Sequence, residues 1–172
     1  MKNHYEVCGD TTVIYLQTRT NTYEAIIDTC DLERVMEYPN TWFYCIDGKG
    51  HKSILGSAIV NGHKNNYSLH RWLLEPDTSK VVDHINHDTL DNRRTNIRIC
   101  SSSENGQNRI VKSTNKSGVT GIDWRPLEKR WRATITTNGK SKHLGSFIEL
   151  KDAALARKNA EIKYFGEFAY RK

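Results

Sequence analysis

Long apolar runs are missing from this sequence. No stretch approaches the roughly 18 consecutive apolar residues that a membrane-spanning helix needs, and the mean hydropathy is negative. The charged start of the chain has no apolar run behind it, so it lacks the pattern of a secretory signal. We therefore expect a cytoplasmic protein whose apolar residues form a few small cores rather than one large core.

Closely spaced cysteines are missing as well. The four cysteines are spread along the chain, and no two of them have the short spacing of a zinc knuckle. In a cytoplasmic protein, isolated cysteines are expected to stay reduced. The sequence therefore predicts neither a disulfide framework nor a structural zinc site.

Positive charge is scarce in the first part of the chain and concentrated in the last. Residues 1–108 carry 11 Lys and Arg against 14 Asp and Glu, a net charge of −3, whereas residues 109–172 carry 15 against 6, a net charge of +9. A basic segment joined to a slightly acidic one predicts that the C-terminal part contacts a polyanion. Nucleic acid is favoured over an anionic membrane, because no strongly amphipathic basic helix stands out.

The N-terminal part alternates short apolar runs with turn residues. Four strands are predicted, at residues 13–16, 23–27, 42–46 and 57–60. Asn61-Gly62 predicts a hairpin turn, and helices are predicted at residues 31–36 and 67–74. Together these elements predict an N-terminal α+β support region at residues 1–67.

The middle of the chain places an acid and an imidazole where an apolar run ends. Residues 81–82 lead into Asp83 and His84, and about ten polar residues separate them from an apolar return strand at residues 97–99. Residues 101–109 predict a helix, with a serine cap and a glutamate three residues on. A strand, loop, strand and helix can direct a carboxylate and a helical side chain at one metal ion while holding an imidazole beside it.

This pattern resembles the HNH endonucleases, the ββα-metal nucleases, and in particular their homing branch, which is common in phages and their introns. The resemblance runs from residue 68 to residue 109. It rests on Leu69-His70-Arg71, Val82-Asp83-His84-Ile85-Asn86, Asp91-Asn92-Arg93, Asn96-Ile97-Arg98 and the segment from Glu104-Asn105 to Asn108. It implies an HNH nuclease core at residues 68–110.

The resemblance implies a role for each matching residue. Asp83 would bind Mg²⁺ or Mn²⁺ through its carboxylate, and Asn105 would bind the same ion through its amide oxygen. His84 would be the general base that activates water. Asn96 would hold the loop by hydrogen bonds to the backbone and orient the histidine.

Several alternatives stay open in this region. Arg93 or Arg94 could neutralise phosphate charge. Asn108 competes with Asn105 as the helical metal ligand, since it lies one turn further on. His70 is either a structural histidine that supports the site or a functional one.

The C-terminal part changes pattern. A polar, basic linker is predicted at residues 111–117. Strands are predicted at residues 119–124, 129–137 and 140–147, the last two joined by a turn at Asn138-Gly139. An alanine-rich helix is predicted at residues 150–165, closed by Gly166. In the second strand, Trp131, Ala133 and Ile135 alternate with arginine and threonine, so one face would pack on the helix and the other would present cations and hydroxyls.

These residues resemble the DNA-binding domain of plant ethylene-response-factor (Apetala-two-type) regulators, which also occurs fused to phage and bacterial HNH nucleases. The resemblance covers about residues 115–169 and rests on their Gly, Trp and Ala-Ala positions. It implies a domain at residues 118–170 whose sheet reads duplex DNA. The matching positions are Thr120, Asp123, Arg125, Arg130, Arg132, Thr134, Thr136, Ser141 and His143. Four of them depart from the plant pattern, which has charged side chains at Thr120, Asp123, Thr134 and Thr136, so the plant target sequence is not expected.

Together these features predict an α+β protein, a two-part DNA endonuclease of homing or nicking type, working in a bacterial host cell as a monomer or homodimer. A single metal per active site predicts one nick per protomer. Two rivals stay open: a DNA-binding regulator whose HNH part is only a scaffold, and a structured-RNA binder.

Overall fold

The computed structural model describes residues 1–48, 50–108, 111 and 115–169 and divides the chain into two units, Met1–Ser101 and Ser102–Lys172. The predicted regions end at residues 67, 110, 117 and 170, and these boundaries stay predictions. Residues 109, 110 and 170, and residues 112–114 of the predicted linker, lie outside the described residues. No helix in the described part of the chain is long and apolar enough to cross a membrane. Both units combine small antiparallel sheets with few helices.

The first sheet of the N-terminal unit is an antiparallel meander. It consists of β1 (Tyr5–Cys8), β2 (Thr11–Gln17) and β3 (Thr22–Asp28), in that order. Every second residue of β2 is buried, including Ile14 and Leu16 with no exposed surface, as expected for a strand with one face on a core. A 3₁₀ turn at Thr29–Asp31 then leads into α1 (Leu32–Met36).

The second sheet follows in β4 (Trp42–Ile46), β5 (Lys52–Val60) and β6 (His63–Ser68). The predicted turn is confirmed, because Asn61 and Gly62 have φ values of 52° and 78°. Helix α2 (Leu69–Leu74) is shorter than predicted, since residues 67–68 end β6 instead. Strand β5 is longer than predicted and begins five residues earlier than residue 57.

Both sheets and α2 share one core. Its largest fully buried side chains are Trp42 and Tyr38, whose rings lie 4.2 Å apart, and Leu69 of α2 packs against the same cluster. Gly56 is required here, because a Cβ atom on it would lie 2.5 Å from Cζ of Tyr38. Removing a large aromatic side chain from such a core costs about 3–5 kcal/mol.

A two-stranded hairpin completes this unit. It pairs β7 (Val81–His84) with β8 (Ile97–Cys100), with Asp83 opposite Arg98. Ile97 belongs to the shared core and fixes the hairpin to it. The predicted helix at residues 101–109 is wrong in extent: α3 is only Ser102–Asn105 and belongs to the second unit.

Besides α3, the second unit contains a three-stranded sheet packed on a longer helix. The sheet consists of β9 (Ile122–Arg125), β10 (Arg130–Thr137) and β11 (Lys140–Phe147), with β10 in the centre. The helix α4 (Leu150–Phe165) ends before Gly166, which has a φ of 56°. Residues 119–121 form a turn rather than the start of β9, and the predicted turn is confirmed by φ values of 51° at Asn138 and 73° at Gly139.

Candidate active site and nucleic-acid interface

Asp83 lies at the end of β7 with its carboxylate held by an arginine. Only 5% of Asp83 is exposed, and Arg98, directly opposite on β8, donates from Nε and Nη2 to its Oδ2 at 3.1 and 2.8 Å. The Arg98 side chain is itself only 12% exposed. A buried carboxylate needs such a partner, since transfer of an unpaired charge from water costs several kcal/mol.

The imidazole of His84 is set by a buried amide. Nε2 of His84 lies 3.3 Å from Oδ1 of Asn92, which is 1% exposed. Nδ2 of Asn92 donates to the carbonyl oxygen of Thr89 at 3.0 Å, and a carbonyl can only accept, so the amide oxygen must face the histidine. Nε2 of His84 therefore carries the proton and donates to Asn92, which leaves Nδ1 as the basic nitrogen of the neutral ring.

Burial keeps His84 neutral. Desolvation lowers the pKa of His84, and the hydrogen bond with Asn92 and the charge of Asp83 oppose that shift without cancelling it. The ring of His70, in α2, meets the His84 ring edge to face, with centroids 5.1 Å apart. Burial first, then His84 and Arg71, lowers the pKa of His70 to about 4, so both imidazoles are uncharged at neutral pH.

Asn96 holds the loop between the two strands. Its Oδ1 accepts from the backbone N–H of Asn86 at 2.9 Å, and its Nδ2 donates to the carbonyl oxygen of Asp91 at 2.7 Å. The resemblance implied backbone contacts of this kind for Asn96, and its role in catalysis stays a prediction. An amide that lies within hydrogen-bond distance of the imidazole is that of Asn92, which was not among the predicted site residues. The motif Asp91-Asn92-Arg93 was a signal, but no local pattern shows which amide faces His84.

The two loop arginines have carboxylate partners. Arg93 donates from Nε and Nη2 to Asp91 at 2.8 and 2.7 Å, and this hydrogen bonding lowers the pKa of Asp91. Arg94 donates to Asp31, and the hydrogen bond to that carboxylate raises the pKa of Arg94. The Arg93 side chain remains 40% exposed. A role of either arginine toward phosphate stays a prediction.

The expected helical metal ligands lie in the second unit. Asn105 is the last residue of α3. Asn108 lies three residues further along the chain and is 3% exposed. A joint site of Asp83 and Asn105 stays a prediction, because the two residues belong to different units. In the described part of the chain, no group of three or more His, Cys, Asp and Glu side chains could hold a metal ion. A carboxylate and an amide oxygen do fit a hard cation that keeps water or phosphate oxygens as further ligands.

The C-terminal sheet gathers most of the predicted DNA-binding residues on one face. In β10, Ala133 and Ile135 are fully buried, so the residues between them point away from that core. The register pairs residues of this outer face as follows: Arg125 with Arg130, Asp123 with Arg132, Thr134 with His143, and Thr136 with Ser141. Thr120 lies in the turn before β9.

Asp123 is the acidic residue among these cations. Its Oδ2 lies 2.9 Å from Nε of Arg125, and its Oδ1 accepts from Nε and Nη2 of Arg132 at 3.2 and 3.1 Å. All three side chains are between 37% and 43% exposed. Such ion pairs contribute little to stability, but they orient the two guanidinium groups.

An HNH endonuclease family model matches residues 74–107, the segment that contains Asp83, His84, Asn96 and Asn105. Protein 3.8 of Escherichia phage T7 is 32% identical over 65 residues, which cover 38% of this chain and 54% of that protein. An uncharacterized HNH endonuclease of Acanthamoeba polyphaga mimivirus is 32% identical over 88 residues, which cover 51% of this chain and 44% of the relative. No solved structure matches the chain significantly.

The chain thus spans about half the length of the curated relatives that it matches. At that level, the comparisons confirm the predicted resemblance: residues 74–107 match the HNH endonuclease family model, the relatives are viral proteins, and these matches support a nuclease. The ethylene-response-factor-type character of the C-terminal unit stays a prediction.

Proposed function

We propose that this protein is a metal-dependent endonuclease of homing or nicking type that hydrolyses phosphodiester bonds in duplex DNA. The observation that carries the proposal is the pair of Asp83 and His84 at the end of β7, both buried, with the imidazole set in one tautomer by Asn92. The match of the surrounding segment to HNH endonucleases supports the same activity.

The chemistry assigned to His84 is general base catalysis. A neutral imidazole whose Nε2–H is bonded to Asn92 presents Nδ1 as its acceptor, and this nitrogen takes a proton from the water that attacks phosphorus. Burial lowers the pKa of His84, so the ring is in the basic form at neutral pH. General base catalysis contributes about 10²–10⁴-fold to such a reaction.

Asp83 and Asn105 are the residues that would hold Mg²⁺ or Mn²⁺. A divalent ion supplies charge stabilisation at the phosphate and at the leaving 3′ oxygen. Asp83 offers a carboxylate that is ion-paired with Arg98, and hard oxygen donors suit either metal.

The C-terminal sheet is proposed to position the enzyme on duplex DNA. Support comes from the net charge of +9 in residues 109–172 and from the outer face of β10, where Arg130 and Arg132 are followed by two threonines. Phosphate contacts would provide affinity, and arginine contacts to base edges would provide register.

One observation favours the rival regulator without catalysis. Arg98 already neutralises Asp83 through Oδ2, so a metal ion would have to share this carboxylate with a guanidinium. The regulator keeps DNA binding but shows no cleavage with any metal.

The test is cleavage of supercoiled plasmids that carry a library of bacterial and phage DNA, with Mg²⁺ or Mn²⁺ or with EDTA. His84→Ala is compared with His63→Ala, a matched histidine exposed on β6. We expect metal-dependent nicking by the wild type and His63→Ala, and its loss in His84→Ala. Cleavage that survives in His84→Ala would contradict the assigned base, and DNA binding without cleavage by every sample would favour the regulator.

A further inference from the structure

The loop that carries Asn92 is attached to the N-terminal sheet. The backbone N–H of Ile26 donates to the carbonyl oxygen of Leu90 at 2.8 Å, and the N–H of Asn92 donates to the carbonyl oxygen of Ile26 at 2.7 Å. Ile26 belongs to β3, which is the outer strand of its sheet, and it forms a parallel bridge with Asp91. The loop therefore extends the sheet at this edge by a short strand-like segment.

Two carboxylates fix the next turn of the same loop. Asp31 is 3% exposed and accepts from Arg94 at both oxygens, at 2.6 Å from Nη2 and 2.9 Å from Nε. Asp28, at the end of β3, accepts from the backbone N–H of Arg94 at 2.7 Å. A two-pronged contact between guanidinium and carboxylate restricts orientation as well as distance, which a single contact does not.

These contacts lead directly to the imidazole. Asn92 receives its backbone position from Ile26 and its amide orientation from Thr89, and its Oδ1 then meets Nε2 of His84. Arg94 is two residues further along the same loop. A displacement of the loop at Arg94 would therefore be transmitted to the amide that selects the tautomer of His84.

We infer that Asp31, assisted by Asp28, is a positioning residue for phosphodiester hydrolysis: through Arg94 it fixes the loop whose Asn92 sets His84. The inference rests on the proposed function. It makes the N-terminal sheet part of the catalytic apparatus rather than a separate support, although neither aspartate contacts His84 in the hydrogen bonds that define this chain of contacts.

The test compares Asp31→Asn, Arg94→Lys and the double variant with Glu24→Gln, a control that removes an exposed carboxylate from β3. Single-turnover cleavage and DNA affinity are measured in the full chain, well below each variant's melting temperature. We expect Asp31→Asn to lower the cleavage rate about ten- to a hundredfold, because displacements of about 1 Å have effects of this size, with DNA affinity unchanged. The double variant should be no slower than the slower single variant, since both act through one contact.

A spectroscopic readout separates positioning from mere folding. Nitrogen-15 NMR of the imidazoles reports whether His84 carries its proton on Nε2, and we expect Asp31→Asn to lower that population while Glu24→Gln leaves it unchanged. Should Asp31→Asn fail to fold, Arg94→Lys keeps the charge but loses the two-pronged geometry, and an intermediate rate and tautomer population are expected.

The two proposals fail in different ways. No cleavage by the wild type with any metal contradicts the nuclease, and the tautomer measurement still tests the loop contact. An active wild type combined with unchanged rates and an unchanged His84 tautomer in both Asp31→Asn and Arg94→Lys overturns the inference.

Discussion

The charged residues around His84 and those on the outer face of the C-terminal sheet differ in burial, and the difference follows their proposed tasks. Around His84, the charged side chains of Asp31, Asp83 and Asp91 are at most 8% exposed, and each is matched by an arginine. On the C-terminal sheet, Asp123 and its two arginines are 37–43% exposed. A site that must fix a proton on one nitrogen needs buried, matched partners, whereas a surface that meets a polyanion needs accessible charge.

The comparison predicts that the largest effect comes from the buried amide beside the imidazole. Asn92→Ala removes the amide oxygen that accepts a hydrogen bond from Nε2–H of His84. We expect the cleavage rate to fall about ten- to a hundredfold, as for other side chains that orient a functional group. Stability should fall by about 1–3 kcal/mol. Single-turnover cleavage and urea unfolding test this, and a normal rate would show that the tautomer is set elsewhere.

The buried site should also make stability depend on pH. The pKa of His70 is about 4 in the folded protein and near 6.5 when unfolded, so the unfolded chain binds more protons between these values. The free energy of unfolding therefore has its full value above pH 6.5 and decreases as the pH falls toward 4. Between neutral pH and about pH 5 we expect a loss of about 2 kcal/mol in urea unfolding.

A matched histidine pair isolates this effect. His70→Gln should flatten the pH dependence of unfolding, whereas His63→Gln, exposed on β6, should leave it as in the wild type. An equally steep dependence in His70→Gln would assign it to another group.

The exposed sheet should show the opposite behaviour, a loss of binding without a loss of stability. Arg132→Ala is expected to weaken duplex DNA binding by about 1–3 kcal/mol and to change stability little, since its ion pair is exposed. The matched control is Lys142→Ala, which removes the same charge from a residue whose Nζ lies over the Tyr164 ring. Fluorescence anisotropy with labelled duplexes measures the DNA affinity of both variants. An equal loss of affinity in the two would mean that binding depends on the total charge alone and not on the position of Arg132.

The smallest effect is predicted for the acid on that sheet. Asp123→Asn removes a negative charge from a face proposed to meet phosphate, so binding to random duplex should become a few-fold tighter. Because Asp123 also orients Arg125 and Arg132, the preference for a selected target over random duplex should fall. Fluorescence anisotropy with the selected target duplex and with random duplex measures the ratio of the two affinities. Weaker binding to random duplex would instead indicate that Asp123 contacts DNA directly.

Apolar alternation predicted the elements that have one buried face. Strand β4 matches its predicted bounds, and β10 and α4 lie within one residue of theirs. Strands β1 and β6 were not predicted, because both are edge strands whose residues are mostly exposed. Such strands exist through backbone pairing with β2 and β5, and no local pattern announces a partner.

The residues of the candidate site also divide into those marked by the local sequence and those whose role depends on a distant partner. Asp83 and His84 stand at a strand end, where a change from apolar to polar residues marks them in the sequence. Asn92, Asp31 and Asp28 were not predicted, because each acquires its role from a partner elsewhere, and Asp31 lies 63 residues from Arg94.

By itself, the sequence determined the features that depend on near neighbours: the two Asn-Gly turns, the buried faces of β2 and β10, the basic C-terminal segment, and an acid–histidine pair at the end of β7. Only the tertiary structure decided which arginine neutralises which carboxylate and which amide sets His84. The physical reason is that a buried polar group must be hydrogen-bonded, and its partner can come from any part of the chain that the fold brings close. Here the partners of Arg94 are Asp28 and Asp31, at the end of β3 and in the turn after it, more than 60 residues earlier in the sequence.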